Sequence, residues 1–129
     1  MVGKFGDIIF ETSDKRILSF KGFKQTVSGR WSRHTIIGRK EVLEFNGPGN
    51  RKITFTITLN AIYGVRPREM LEKLESIVEE GKVDYLIIGG RPVGNNRFCI
   101  SLLGEEWGTI LSGGELAIAT GTITMEEYV

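Results

Sequence analysis

The sequence predicts a mainly β domain of the α+β class: an antiparallel β-sandwich or barrel with one packed amphipathic helix. Several short segments alternate apolar and polar residues, as strands with one buried face do. Seventeen glycines, about twice the usual rate, indicate many tight turns. Only one segment has the apolar spacing of a helix. Many strands with a single helix favour an antiparallel architecture.

The clearest strand is Lys52 to Asn60, with the sequence KITFTITLN. Apolar residues alternate with threonines throughout, so one face is predicted to pack inward while the hydroxyl-bearing face points outward. The turn cluster from Asn46 to Asn50 precedes it. Its glycines do not predict a phosphate-binding loop, because no Gly-Lys-Ser/Thr ending follows and the next element is a strand.

The helix is predicted from about Pro67 to Glu80. Proline suits the first position of a helix, and Gly81 supplies the stop. The apolar residues that form one helical stripe are Met70, Leu71, Leu74, Ile77 and Val78. The opposite face is strongly acidic, and we predict that it faces solvent or a partner protein and takes no part in acid/base catalysis.

The other apolar or alternating segments are predicted strands, separated by turns rich in glycine, asparagine and serine. They are Phe5 to Glu11, Arg16 to Phe20, Gln25 to Ile37, Val42 to Phe45, Tyr85 to Ile88, Arg97 to Leu103, Trp107 to Leu111 and Leu116 to Met125. In the last of these the apolar residues change parity around Gly121, which predicts a β-bulge there.

Length and composition indicate one domain over residues 1–129 that folds without disulfide bonds. A single cysteine fits a reducing cytoplasm. Cys99 lies in an apolar strand and is predicted to be a small buried hydrophobe. No apolar run is long enough to span a bilayer and no secretion signal is evident, so neither export nor membrane insertion is expected.

The near-neutral net charge conceals a strong asymmetry. Residues 1–65 hold eleven Lys and Arg against five Asp and Glu, whereas residues 66–129 hold six against eleven. A subunit that docks its neighbour head to tail presents two unlike faces, and opposite charges on those faces would orient the docking. The alternative is that these charges are scattered over the folded surface.

Residues able to carry out chemistry are few. One histidine and one cysteine cannot supply a structural zinc site, and no metal, cofactor or catalytic residue is predicted. Ser32 and His34 share one side of a strand but lack an evident acid to orient the imidazole, and pairing Cys99 with His34 would depend on the fold. His34 is predicted to be a polar interface or core residue.

The segment Arg30 to Gly49 concentrates charge, an aromatic residue and the only histidine, which favours assembly over catalysis. Basic residues from Lys15 to Lys40 interleave with aromatic ones, so a β-barrel that binds single-stranded nucleic acid is an alternative of another class. The pI near 7.8 lacks the basic excess of a dedicated binder, and no direct nucleic-acid recognition is expected. The predicted interface residues are Arg30, Trp31, Arg33, His34, Arg39, Lys40, Glu72, Glu75 and Glu79.

Several motifs, taken together and in order, resemble the tail protein U family of contractile-tailed phages and phage-tail-like bacteriocins. They are VGKFGDIIFE at Val2 to Glu11, RWSRHTIIGRK at Arg30 to Lys40, LEFNGPG at Leu43 to Gly49, the ITFTITL strand, GVRPREMLEKLE at Gly64 to Glu75, LIIGGRPVG at Leu86 to Gly94, LLGEEW at Leu102 to Trp107 and the closing MEEY. The resemblance extends over nearly the whole chain.

The resemblance implies a structural tail protein with a tail-tube-like fold and no enzymatic activity, located in a virion tail or bacteriocin particle that is assembled in the host bacterial cytoplasm. A hexameric ring at the baseplate end of the tail tube is the expected role. A completion ring at the head-proximal end is the alternative. The implied partners are further copies of the chain, the tail tube protein, the baseplate hub protein, the LysM-containing tail protein and the tape-measure protein, with the sheath as a further candidate.

Closing a ring requires heterologous contacts, which strand edges supply when they pair with a neighbouring subunit. The Gln25 to Ile37 and Leu116 to Met125 segments are long, and they are predicted to provide these edges.

Overall fold

The computed structural model describes residues 3–6, 8–10, 12–13, 16–61 and 66–129, and the side chains of residues 8–20 are outside this description. The elements are β1 (Gly3–Phe5), β2 (Ile8–Phe10), β3 (Thr12–Ser13), β4 (Arg16–Thr26), β5 (Gly29–His34), β6 (Val42–Pro48), β7 (Lys52–Asn60), α1 (Pro67–Glu80), β8 (Val83–Asp84), β9 (Leu86–Ile88), β10 (Arg91–Pro92), β11 (Arg97–Ile110) and β12 (Leu116–Tyr128). The mainly β, antiparallel fold with one packed helix is confirmed.

Within the described residues, the strands form three antiparallel sheets. Four short strands pair in the order β10-β9-β1-β2, and six pair in the order β3-β4-β7-β12-β11-β8. The third sheet is the two-stranded ribbon of β5 and β6. The long β11–β12 pair, whose register runs from Arg97↔Tyr128 to Ile110↔Leu116, and β7 beside it form the centre of the larger sheet.

The hydrophobic core lies on one face of the six-stranded sheet, and both α1 and the four-stranded sheet, through Phe5 and Leu86, contribute to it. Strand β7 alternates as predicted, with Ile53, Phe55, Ile57 and Leu59 each at most 1% exposed. Helix α1 buries Leu71, Leu74 and Ile77 against this face. Within the described residues no charged or polar side chain is buried, so the core is held by apolar packing.

Helix α1 has the predicted bounds, which are set by a proline at its first turn and a glycine after its last. Pro67 occupies the first turn, where its missing N–H costs no hydrogen bond. Gly81 adopts a left-handed conformation with φ 66°, which its missing Cβ permits. The N–H groups of Gly81 and Lys82 then donate to the carbonyls of Val78 and Ile77, which completes the C-terminal cap.

Several predicted strand boundaries are wrong, most of them at glycines. The predicted strand Phe5 to Glu11 is two strands, β1 and β2, which pair across Gly6 with φ 57°; Glu11 lies outside the described residues. The break predicted between Arg16 to Phe20 and Gln25 to Ile37 does not exist. Strand β4 runs through Gly22, where the register to β7 shifts, and ends at Thr26; β5 starts at Gly29.

The predicted strands Arg97 to Leu103 and Trp107 to Leu111 are one strand, β11. Gly104 remains paired with β12, and Gly108 lies in a local bulge of β11. Neither glycine has a left-handed φ. Cys99 in β11 is half-buried, not fully buried as predicted.

The bulge predicted at Gly121 is also wrong. Gly121 pairs in regular register with both Ile57 and Glu105, and the irregularities fall on the facing strand β11, between Ile100 and Leu102 and again near Thr109. Gly121 itself is buried. A Cβ added there would lie 3.7 Å from the Leu71 Cδ2 atom, so α1 packs directly over this position.

The prediction that Leu116 to Met125 provides a free edge is wrong as well. This segment belongs to β12, which is paired on both sides by β7 and β11. Within the described chain, the outer strands of the six-stranded sheet are β3 with β4 at one side and β8 with β11 at the other.

Candidate assembly interface

Residues 29–48 form a projecting β-hairpin, which we call the arm. It comprises β5, β6 and the turn between them, and all of its residues are exposed or half-exposed. Gly29 makes room for the aromatic pair at its base, because a Cβ there would lie only 3.0 Å from the Trp31 Nε1 atom and 3.2 Å from Phe45 Cε1. An isolated two-stranded ribbon is marginally stable in water. The arm is therefore held mainly by the pairing of its own two strands.

One face of the arm is apolar and basic. The register pairs Trp31 with Phe45 and Arg33 with Leu43, and these four side chains share one face because opposite residues of an antiparallel pair do. The Trp31 and Phe45 ring centroids are 4.9 Å apart in a tilted arrangement. Trp31 is 57% exposed, Phe45 56% and Leu43 51%. We call these four residues the aromatic face.

The other face of the arm is mainly polar, and its polar side chains make hydrogen bonds to one another. The Asn46 amide donates to the Ser32 hydroxyl, and the His34 Nε2 atom lies 2.7 Å from a Glu44 carboxylate oxygen. Glu44 is the acid that the sequence did not identify beside His34. Ser32 and His34 nevertheless engage different partners, on an open surface, so the geometry gives no support for a nucleophile and its base. His34 is thus an exposed surface residue.

Arg39 and Lys40 lie at the tip of the arm. The chain turns there at Gly38, with φ 75°, and the Arg39 N–H donates to the Ile36 carbonyl over 3.2 Å. Arg30, in contrast, lies at the base, where its guanidinium donates to the Asn46 carbonyl over 3.3 Å. The predicted basic residues are therefore distributed along the whole arm.

Glu127, near the end of β12, fixes the base of the arm. Its carboxylate accepts hydrogen bonds from the Asn96 amide at 2.9 Å and from the Arg51 N–H at 3.1 Å, and its carbonyl accepts one from the Asn50 amide. Asn50 and Arg51 directly follow the arm. The hydrogen bond from Asn96, followed by that from the Arg51 backbone, lowers the pKa of Glu127.

We expect Glu127→Gln to lower the stability of the domain at neutral pH and to have little effect in acid. The folded pKa of Glu127 lies below the ordinary value of 4.5, so its contribution is present above pH 4.5 and is lost as the pH falls through the folded pKa. Thermal unfolding of both proteins between about pH 7 and about pH 3 tests this. The difference in Tm should close toward the acid end. A difference that does not vary with pH would contradict a role for the charge.

The predicted acidic residues lie on α1, which is well separated from the arm along the sequence. Glu72 pairs with Arg68 one turn earlier, with 3.6 Å between Oε1 and Nε, and Glu79 is exposed. Glu75 lies beside Glu105 of β11. Their hydrogen bond, followed by partial burial and by the nearby carboxylates of Glu105, Glu72 and Glu79, raises the pKa of Glu75. This helix face therefore carries an excess of negative charge.

Two residues of this acidic surface were missed by the sequence prediction. Glu105 and Trp107 of β11 lie next to α1: the Trp107 Nε1 donates to Glu105 over 3.1 Å, and the Arg68 guanidinium lies 5.7 Å from the centroid of the Trp107 ring. The LLGEEW motif contained them, but only the fold places them beside the helix.

The described chain shows neither a metal cluster nor a membrane-spanning helix. Among the residues in the described ranges, no group of three or more His, Cys, Asp or Glu side chains is arranged to hold a metal ion. The part of the chain whose structure is given also includes no helix with the length and apolar character needed to cross a bilayer.

Comparisons with known proteins show a family and a fold. The sequence model of the family described as Phage P2 GpU matches residues 6–129. Among solved structures, the chain is similar to one from the tail of an empty GTA particle, computed with helical refinement in C6 symmetry. The TM-score is 0.58 at 15% identity, over 99% of this chain and 90% of that chain, which is a likeness of fold. No curated protein matches the sequence.

Proposed function

The chain belongs to the Phage P2 GpU family of tail proteins, and we propose that it forms a hexameric ring at the baseplate end of a contractile tail tube, joining the hub to the tube during assembly. Its role in the tail is structural. The proposal concerns the ring, its position and its neighbours.

The observation that carries the proposal is the pair of unlike, partly open edges of the six-stranded sheet. On one side, β3 pairs with only Arg16 and Ile17 of β4, so no strand of the described chain pairs with the outer edge of residues 18–21 and 24–26. On the other side, β8 covers only Phe98 and Cys99 of β11, which leaves residues 102–110 similarly open in the described structure. Unlike edges of one sheet can pair head to tail, and repetition of such a contact closes a ring when the rotation between neighbours divides a full turn.

Size and symmetry fit this arrangement. A compact chain of 129 residues has a radius of gyration of roughly 14 Å and a diameter of about 35 Å. Six such bodies in contact leave a central hole of about the same width, which admits several helices of about 10 Å diameter, as a coiled tape measure requires. The structurally similar GTA tail has C6 symmetry.

The proposed partners follow from this position. They are the neighbouring copies in the ring, the tail tube protein on one side and the hub protein on the other, with the LysM-containing tail protein, the tape measure and the sheath as further contacts. A completion ring at the head-proximal end uses the same two edges. The proposal therefore needs a test of position as well as one of ring formation.

Electron microscopy of purified tails tests the proposal. Tails carrying the chain with a small C-terminal tag are decorated with a gold-labelled antibody, and the copy number is measured by quantitative mass spectrometry. We expect label at the baseplate end and about six copies per tail. Label at the head end would overturn the position and support the completion ring. Absence of the chain from the particles would overturn the ring altogether.

A further inference from the structure

The arm presents a surface that its own domain leaves uncovered. The aromatic face of Trp31, Arg33, Leu43 and Phe45 groups three apolar side chains that are each more than half exposed around one guanidinium. Arg33 is paired only loosely: its Nη1 atom lies 3.3 Å from Glu41, and the two side chains are 71% and 47% exposed. Contiguous apolar surface of this kind, with a charge in it, is typical of a protein–protein contact.

A surface of opposite charge lies at the C-terminal end of α1. Four exposed residues lie close together in the sequence at this end, Glu79, Glu80, Asp84 and Tyr85, and we call them the acidic end patch. The last turn of α1 contains no basic residue, so two carboxylates lie at the negative end of the helix dipole, where a cation is favoured. Lys82 compensates Glu80 alone, with 3.1 Å between Nζ and Oε2. Tyr85 is 45% exposed and adds an aromatic ring to the patch.

The sheet register places the two surfaces at the same end of the domain but at opposite edges. Thr26, the last residue of β4 before the arm, pairs with Lys52, which pairs with Glu126. Glu126 in turn pairs with Cys99, and Cys99 pairs with Val83 of β8. One row across the sheet therefore leads from the root of the arm to the strand that directly follows α1.

We propose that the arm of one copy docks on the acidic end patch of the next copy, with Arg33 facing Glu79 and the Trp31–Phe45 pair packing near Tyr85. This inference rests on the proposed ring. When the β4 edge of one copy meets the β11–β8 edge of its neighbour, the root of the arm comes beside the neighbour's Val83. The arm then meets a surface of opposite charge, and the aromatic groups on both sides are removed from water together.

The docking explains two features that are unfavourable in a single copy. A helix end with Glu79 and Glu80 and no basic residue in its last turn is destabilised by its own dipole, and the arm of the neighbour would supply the missing cation. The aromatic face would likewise be covered. The chain carries both the acidic helix end and the basic, aromatic face that complements it, so a second copy is sufficient as the partner.

A charge-exchange experiment tests the contact. The variants are Arg33→Glu, Glu79→Arg and the double variant, each expressed in place of the wild-type chain, with incorporation into purified tails measured by quantitative mass spectrometry. We expect each single variant to reduce incorporation about tenfold and the double variant to restore most of it, because the ion pair is re-formed with its charges exchanged. Arg91→Glu is the matched control, since it reverses the charge of another exposed arginine.

A crosslink tests the same contact directly. In a Cys99→Ala background, Arg33→Cys combined with Glu79→Cys should give a ladder of disulfide-linked multimers when purified tails are treated with an oxidant such as copper phenanthroline, and neither single cysteine should do so. The docking is wrong if the wild-type chain is incorporated into tails but the charge-exchanged double variant is incorporated no more than the single variants. It is also wrong if no ladder forms. Neither result contradicts the proposed ring. A wild-type chain absent from tails overturns the ring itself. Unchanged thermal unfolding of the variants shows that the domain has remained folded.

Discussion

Replacing residues 30–47 with a two-residue Asn-Gly turn is expected to abolish assembly while leaving the domain folded. The arm contributes none of the buried core residues, all of which come from other elements. Its base is already closed by the hydrogen bond from the Gly49 N–H to the Ser28 carbonyl, at 2.8 Å, so a short turn can join the two ends. The free energy of unfolding should change by less than about 1 kcal/mol, because shortening a loop has a small effect.

Two measurements check this result. Urea denaturation gives the stability of the shortened chain, and purified tails from cells that express only this chain give its incorporation. We expect near-normal stability and no incorporation. Tails that contain the shortened chain at the wild-type level would show that the arm is not an interface.

A second variant keeps the prediction testable if the shortened chain folds poorly. Trp31→Ser together with Phe45→Ser removes the aromatic pair but keeps the length of the arm and its polar face. Ser32→Ala, on the polar face, is the matched control. Loss of incorporation in the aromatic variant with retention in the control would locate the effect on one side of the arm.

The features that were predicted correctly from the sequence depend on local periodicity. Strand β7 and helix α1 have their predicted bounds because apolar alternation and apolar helical spacing are unbroken within them and end at turn or cap residues. Both properties are encoded within about ten to fifteen residues and need no knowledge of the partner strand.

The features that were mispredicted depend on distant partners. Gly22 and Gly104 lie where breaks between strands were predicted, but the neighbouring strands hold them in the sheet or in a local bulge. The two faces of the arm depend on a register shift between Arg30 and Trp31, which sets Trp31 opposite Phe45. A one-residue change in register would exchange the faces, and sequence spacing alone does not fix it.

The sequence indicated which segments form the candidate interface, but not how their side chains are arranged in space. The density of charge around Arg30 to Lys40 and on the acidic helix was visible in the sequence. The contribution of Glu127 to the base of the arm was not visible in the sequence, because its partners Asn50 and Arg51 are 77 and 76 residues away along the chain. Such long-range polar contacts have no sequence periodicity that could reveal them.

Phe55→Ala is expected to destabilise the domain more than any surface change considered above. Phe55 is 1% exposed at the centre of β7, where its ring stacks against Phe23 with centroids 6.0 Å apart, and its backbone pairs with Ile123 of β12. Truncating such a side chain removes apolar contacts and leaves a cavity in a close-packed core. We expect a loss of about 3–5 kcal/mol in the free energy of unfolding, a large share of the total for a domain of this size.

Urea denaturation followed by tryptophan fluorescence measures this loss as a shift of the midpoint at constant slope. Thr56→Ala is the matched control, because Thr56 follows Phe55 on the same strand, lies on the opposite face and is only half-buried. Its cost should stay below about 1 kcal/mol. Equal effects at the two positions would mean that the alternation along β7 does not separate core from surface. The placement of α1 over this sheet would then be wrong, and with it the position of the acidic end patch.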